Sequence, residues 1–359
     1  MALLPPRGFD LRPPFLALAL GAAGGGAAYL LGLPLPFLLG SVIAVAAAAL
    51  TDFRPFGIAP VMPEKIRLFF VPVIGVSIGA AFTPQVLEEI PRWWPSVLAL
   101  LVFIPLTQFI GYVAMRRLGG IDRATAFYGA APGGLIEAVL LGEKAGADAA
   151  MLTMLQFMRL LLCIIFIPIG ISIWTGHAVG SAAGAVMGGH DPLSALDWVI
   201  LTVSGVVGTL IAKRLNFPAW QMTGALVASS LVHLFGLVEG GPPGWLVAVT
   251  QLVIGITLGA RFVGKSPRLF LVALRVSGVY VLLTCALAAL FAAPVHVWVD
   301  EKWTAVFLAF APGGLAEMSL IALSLQMSVI YVTAHHVLRI VLAVFSARYL
   351  SPFILKAPD

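Results

Sequence analysis

The chain has 359 residues, of which 60% are hydrophobic and only 10% charged, with a mean hydropathy of +1.04. Soluble proteins are roughly 45–50% apolar and about 25% charged, so this composition excludes a soluble enzyme and a disordered chain. The net charge of +5 comes from 21 Lys and Arg scattered in ones, twos and threes. They form no basic stripe, so direct nucleic-acid binding is not expected.

A membrane-spanning helix needs about 20 mostly apolar residues. In chain order the sequence predicts spans at Pro14–Leu33, Pro36–Leu50, Ile66–Phe82, Trp94–Met115, Ala124–Gly142 and Ala149–Trp174. Thr175–Leu196 follows, rich in Gly, Ala and Ser, and reads as a linker. Six more elements come next: Trp198–Ala212, Pro218–Leu237, Gly244–Phe262, Leu269–Ala293, Thr304–Leu325 and Val329–Leu350. The expected organisation is a membrane repeat over 1–174, a linker over 175–196 and a second membrane repeat over 197–359. No loop is long enough for a catalytic or DNA-binding head, so the chain is not expected to be an enzyme.

The halves repeat at an offset of 180 residues. Ala131-Pro132-Gly133-Gly134-Leu135-Ile136-Glu137 matches Ala311-Pro312-Gly313-Gly314-Leu315-Ala316-Glu317 at six of seven positions. Arg159 and Arg339 follow at the same 22-residue spacing. Val73-Ile74-Gly75 with Gly79 matches Val253-Ile254-Gly255 with Gly259, and Gly40 matches Gly224 after a four-residue slip.

Loop charges orient the repeats, because cytoplasmic loops carry the Lys and Arg excess. Arg159, Arg275 and Arg339 lie within spans and are left aside. If all twelve elements cross, with the N-terminus inside, the others divide eleven inside to seven outside. If the two APGG elements dip in and return, only Arg92 and Lys302 lie outside, a split of sixteen to two. The expected fold is therefore an all-α polytopic integral membrane protein. It has two inverted repeats of about five transmembrane helices each, plus a broken, re-entrant APGG element in each. Both termini are expected in the cytoplasm. Inverted repeats with interrupted helices are common in secondary transporters, whose sites lie near the bilayer midplane.

The APGG runs carry the chemistry. Pro132 and Pro312 remove a backbone donor and clash with a continuing helix. Gly133, Gly134, Gly313 and Gly314 permit close approach and unusual backbone angles. Each run either shapes a crossing helix or opens unwound backbone to a cavity, the only settings tolerated at membrane depth. Glu137 and Glu317 fall in the first turn after each break, where a helix N-terminus favours an anion. Free amides there would suit an anionic solute, unless the carboxylates occupy them.

Arg159 and Arg339 sit inside apolar spans, where an unpaired charge costs at least about 2.5–3.5 kcal/mol. Pairing is expected for Glu137 with Arg159 and Glu317 with Arg339, or across repeats for Glu137 with Arg339. Such pairs are either structural or part of a solute or proton site, and Arg holds carboxylates in a bidentate fork. His336, one turn before Arg339, is a candidate proton carrier. The GxxxG spacings of Gly75–Gly79 and Gly255–Gly259 read as close helix packing, which leaves room for a homo-oligomer through those faces. Cys163 and Cys285 read as small buried hydrophobes. No metal or cofactor constellation is present, and the expected partners are the lipid bilayer and a small solute.

The duplicated APGGLxE segments, the paired VIG segments and the two-repeat layout resemble the bacterial membrane AbrB family over nearly the whole chain. Members of that family carry the labels transcriptional regulator and ammonia monooxygenase. The resemblance implies an inner-membrane protein with a role in regulating gene expression. It supplies no catalytic set to transfer, and the residues hold no cluster for copper or iron. A small-solute carrier is the favoured function, with a membrane sensor built on a transporter scaffold as the alternative.

Overall fold

The computed structural model describes residues 12–176, 193–217, 219–325 and 327–355. Most of the predicted linker, with His177 and His190, lies outside them. Every regular element among the described residues is helical. The first half contains α1 (Arg12–Leu30), α2 (Pro36–Leu50), α3 (Glu64–Gly79), the short α4 (Pro84–Glu89), α5 (Trp94–Gly119), α6 (Arg123–Gly129), α7 (Leu135–Lys144) and α8 (Ala149–Thr175). The second contains α9 (Ala195–Arg214), α10 (Trp220–Leu234), α11 (Gly244–Gly259), α12 (Pro267–Val299), α13 (Trp303–Phe310), α14 (Leu315–Ser324) and α15 (Val329–Leu355). Seven helical stretches are long and apolar enough to cross a membrane. Large apolar side chains such as Leu30, Phe69, Ile173 and Phe353 are exposed along the outside. This is the fold of a polytopic helical membrane protein, whose outer surface faces lipid.

The two halves interlock. Gly75 on α3 lies against α10, where an added Cβ would stand 2.4 Å from the Met222 carbonyl oxygen. Gly255 on α11 lies against α2, where a Cβ would stand 2.6 Å from the Leu38 carbonyl oxygen. Small residues let backbones touch in this way. The GxxxG faces are thus packed against helices of the same chain. A homo-oligomer would need another surface. Within the halves, the α1–α2 pair meets at Gly24 and Gly40, and the α9–α10 pair meets at Gly208 and Gly224. The slipped Gly40–Gly224 match therefore marks one type of contact made in each half.

Each APGG run interrupts a helix, and each interrupted element is a hairpin. The α6 leg starts at the N-cap Asp122, whose side chain accepts from the Thr125 N–H. Eight residues into α7, a Cβ on Gly142 would stand 3.3 Å from the Tyr128 Cβ, near the end of α6. Beyond α7, the Asp148 N–H donates to Thr125 Oγ1 at 2.8 Å. The chain thus leaves α7 beside the point where it entered α6. The second hairpin closes in the same manner. Glu301, just before α13, accepts a hydrogen bond from Ser328, just after α14.

Burial beside Glu89 and Asp300 pushes the Glu301 carboxyl up to about 7, against the opposing pull of Ser328 and Lys302. A carboxyl with a raised folded pKa holds its proton longer in the native state, so its stability contribution falls as pH rises between about 4.5 and 7. Glu301→Gln should flatten that segment of the pH–stability profile, measured as melting temperature across pH 4–8. An unchanged slope would show that the carboxyl does not titrate there.

Candidate functional site

The hairpins bring both APGG runs to one cavity of about 420 Å³. Gly133, Gly134 and Glu137 line it from the first break, and Gly313, Gly314 and Glu317 from the second. Arg159 on α8 and Arg339 on α15 complete the charged interior. The breaks also lean on the opposite half. A Cβ on Gly133 would stand 3.3 Å from the Ile340 Cα, and one on Gly314 would stand 3.3 Å from the Leu160 side chain.

Pro132 and Pro312 are buried but do not line the cavity. They end the first legs, and their neighbours' carbonyls supply the partners for the arginines. Arg159 donates to the Ala131 carbonyl. Arg339 donates to the Ala311 and Gly313 carbonyls. These contacts correct the expected Glu–Arg pairs: among the described residues no ion pair joins Glu137 or Glu317 to Arg159 or Arg339. The reason is geometric. An unwound run leaves carbonyls without a helical donor, and a guanidinium 28 residues further along, at Arg159 and again at Arg339, reaches them. Nε of each guanidinium has no partner.

Other donors finish the capping. Tyr280 Oη donates to the Ala130 carbonyl at 2.8 Å, and Gln156 Nε2 donates to the Tyr128 carbonyl at 2.8 Å. His336, which matches Gln156, donates from Nε2 to the Leu308 carbonyl at 2.9 Å. It is fully buried and outside the cavity lining. Its Nε2 serves as a cap, while Nδ1 has no hydrogen-bond partner among the described residues.

The second legs start at uncapped N-termini. Neither α7 nor α14 has a side-chain cap. Each Glu folds back over its own N-cap glycine. Built Cβ atoms on Gly134 and Gly314 would stand 3.2 Å and 2.0 Å from the carboxylate oxygens of Glu137 and Glu317. The two glycines differ in kind. Gly134 has φ 67° and ψ 59°, a left-handed conformation, whereas Gly314 has φ −80° and ψ 154°. Gly134→Ala should therefore cost about 1–2 kcal/mol of stability through backbone strain. Gly314→Ala should cost little in backbone terms and act by pushing the flexible Glu317 carboxylate aside. Equal losses of melting temperature in the two variants would contradict this distinction.

Toward solvent, Glu64 and Arg67 on α3 meet Arg261, just beyond α11. Arg261 Nη2 lies 2.7 and 2.8 Å from the two Glu64 oxygens, and Arg67 Nη1 lies 3.4 Å from one of them. The Arg261 guanidinium stacks 4.2 Å above the Phe157 ring centroid. This cluster joins the two halves across the open end of the cavity. The sequence signal was present only as loop charge. Nothing in it placed Glu64 against a residue 197 positions away.

Comparison with known proteins agrees with this picture in extent. A family model described as the transition state regulatory protein AbrB matches residues 37–355. YhjN of Bacillus subtilis strain 168, whose function is uncharacterised, is 28% identical over 348 residues, covering 91% of this chain and 89% of the relative. A protein of Escherichia coli K12, provisionally named regulator AbrB, is 26% identical over 333 residues, covering 90% of each chain.

Proposed function

We propose that this chain, which belongs to the AbrB family, is a secondary carrier of a small anionic solute that binds between the two APGG breaks. The observation that carries the reading is that both breaks and their charged residues line a single cavity of about 420 Å³. That volume falls within the roughly 300–1,000 Å³ usual for small-molecule sites. Four arginines and three glutamates line it, an excess of one positive charge. Two uncapped helix N-termini face the same space, and oriented amides favour anions. The carrier reading places the halves in opposite orientation. The chain then sits in the inner membrane with ten crossings, two re-entrant hairpins and both termini cytoplasmic. Cysteine labelling at positions 185 and 355 tests that topology. Position 185 should react only from outside and position 355 only from the cytoplasm. Labelling of position 185 from the cytoplasm alone would overturn it.

The functional test is solute flux in proteoliposomes, followed with radiolabelled small carboxylates or by solid-supported-membrane current. Leu160→Trp, which fills the cavity, should abolish any flux the natural protein shows. Flux that survives the filled cavity would place the path elsewhere. The regulator name of the Escherichia coli relative favours a second reading, a membrane sensor on the same scaffold. Solute binding without flux would support that reading over the carrier.

A further inference from the structure

Unwound backbone at membrane depth offers carbonyl oxygens, the usual ligands for a metal cation. Here that route is closed at the second break. The Ala311 and Gly313 carbonyls accept from Arg339. The Pro312 carbonyl accepts from Cys163 Sγ at 3.3 Å, and the Gly314 carbonyl from the Met318 N–H at 3.0 Å. All four carbonyls of the run are therefore taken. Among the described residues no cluster of three metal-ligating side chains exists either. A Ca²⁺- or Na⁺-like site needs several oxygens at once.

Beside this closed backbone lies Glu317, only 3% exposed and lining the cavity. Its carboxylate has no salt-bridge or hydrogen-bond partner among the described residues. The elements packed on α14 are α3, α8, α13 and α15. Their charged or titratable groups lining the cavity are Glu64 and Arg67 on α3, Arg159 on α8 and Arg339 on α15. Cys163 on α8 and His335 and His336 on α15 stand behind the lining. Glu137 and Arg261 face Glu317 from the rest of the wall. Arg67 and Arg261 are engaged by Glu64, and the other two arginines by break carbonyls. A carboxylate with no cluster of further ligating side chains around it among the described residues suits a proton and not a metal ion.

We propose that Glu317 is the proton-binding group of the cavity and that the coupling ion of the carrier is a proton. A hydronium ion in the cavity gives up one O–H proton to a carboxylate oxygen and becomes water, and the group passes from charge −1 to neutral. Glu137, half-buried at the first break, is the more hydrated counterpart. The proposal rests on the carrier reading for the word coupling, but the proton site is testable without transport.

The experiment is pH-difference infrared spectroscopy on the full chain in lipid, with protons, Na⁺ and K⁺ as the only probes. A carboxyl C=O band that appears on acidification should be lost in Glu317→Gln. It should return at a shifted frequency in Glu317→Asp, which also serves if the Gln variant does not fold. Replacing K⁺ by Na⁺ at fixed pH should leave it unchanged. A full-strength band in Glu317→Gln, or an unshifted one in Glu317→Asp, would overturn the assignment. Removal of the band by Na⁺ would overturn the choice of proton over metal. If the band behaves as expected and no solute moves in proteoliposomes, the site stands and the carrier reading falls.

Discussion

Arg339→Met should be among the most damaging single substitutions in the chain, lowering stability by about 3–5 kcal/mol. The side chain is 1% exposed and holds the Ala311 and Gly313 carbonyls of the second break. Methionine fills similar volume but donates nothing, so the Gly313 carbonyl loses its side-chain partner and the Ala311 carbonyl keeps only the Gly313 N–H at 2.9 Å. Each unsatisfied group costs about 1–3 kcal/mol. Arg159→Met removes one such contact and should cost less. Glu317→Gln should cost far less than either, because no ion pair is broken. Melting temperatures in detergent, ordered Arg339→Met, then Arg159→Met, then Glu317→Gln, would bear this out. A loss in Glu317→Gln as large as in Arg339→Met would mean that the two charges are directly paired after all.

The second large effect belongs to the glycine contacts. A Cβ on Gly40 would stand 2.1 Å from the Gly24 carbonyl oxygen, and one on Gly224 would stand 2.3 Å from the Gly208 carbonyl oxygen. Both obstacles are backbone, which cannot swing aside as a side chain can. Overpacking a filled core costs about 1–3 kcal/mol even where neighbours can move. Gly40→Val and Gly224→Val should therefore each exceed that range and leave little folded protein by size-exclusion chromatography. Gly26→Val is the control, since nothing lies within 4 Å of its built Cβ. It should fold as well as the natural chain. A stable Gly224→Val protein would show that α9 and α10 do not touch through their backbones.

Much of this architecture was legible in the sequence because its signals are periodic or categorical. Length and apolarity mark the spans, proline and glycine mark the breaks, and the duplicated motif marks the pair of breaks that face one cavity. The GxxxG segments also read correctly as packing faces. The partners of Arg159 and Arg339 were not legible. A sequence shows that a buried charge needs a partner, and it offers carboxylates because they are visible as side chains. Backbone carbonyls freed by a helix break have no sequence letter of their own. The same limit hid the role of His336 as a cap. Glu64 and Arg261 were missed for a different reason, since contacts between helix ends depend on how the two halves interlock.

The central claim is that the cavity between the two breaks binds a small solute. The most direct measurement is a thermal-shift screen of small carboxylates, amino acids and amines on the purified protein. A ligand at 100 times its Kd stabilises the folded state by about 2.7 kcal/mol, which is readily seen. The account predicts that small carboxylates raise the melting temperature of the natural chain and of Gly26→Val, and that Leu160→Trp removes the response. A carboxylate that stabilises Leu160→Trp as strongly as the natural chain would contradict it, because the solute would then bind outside the cavity that both breaks line.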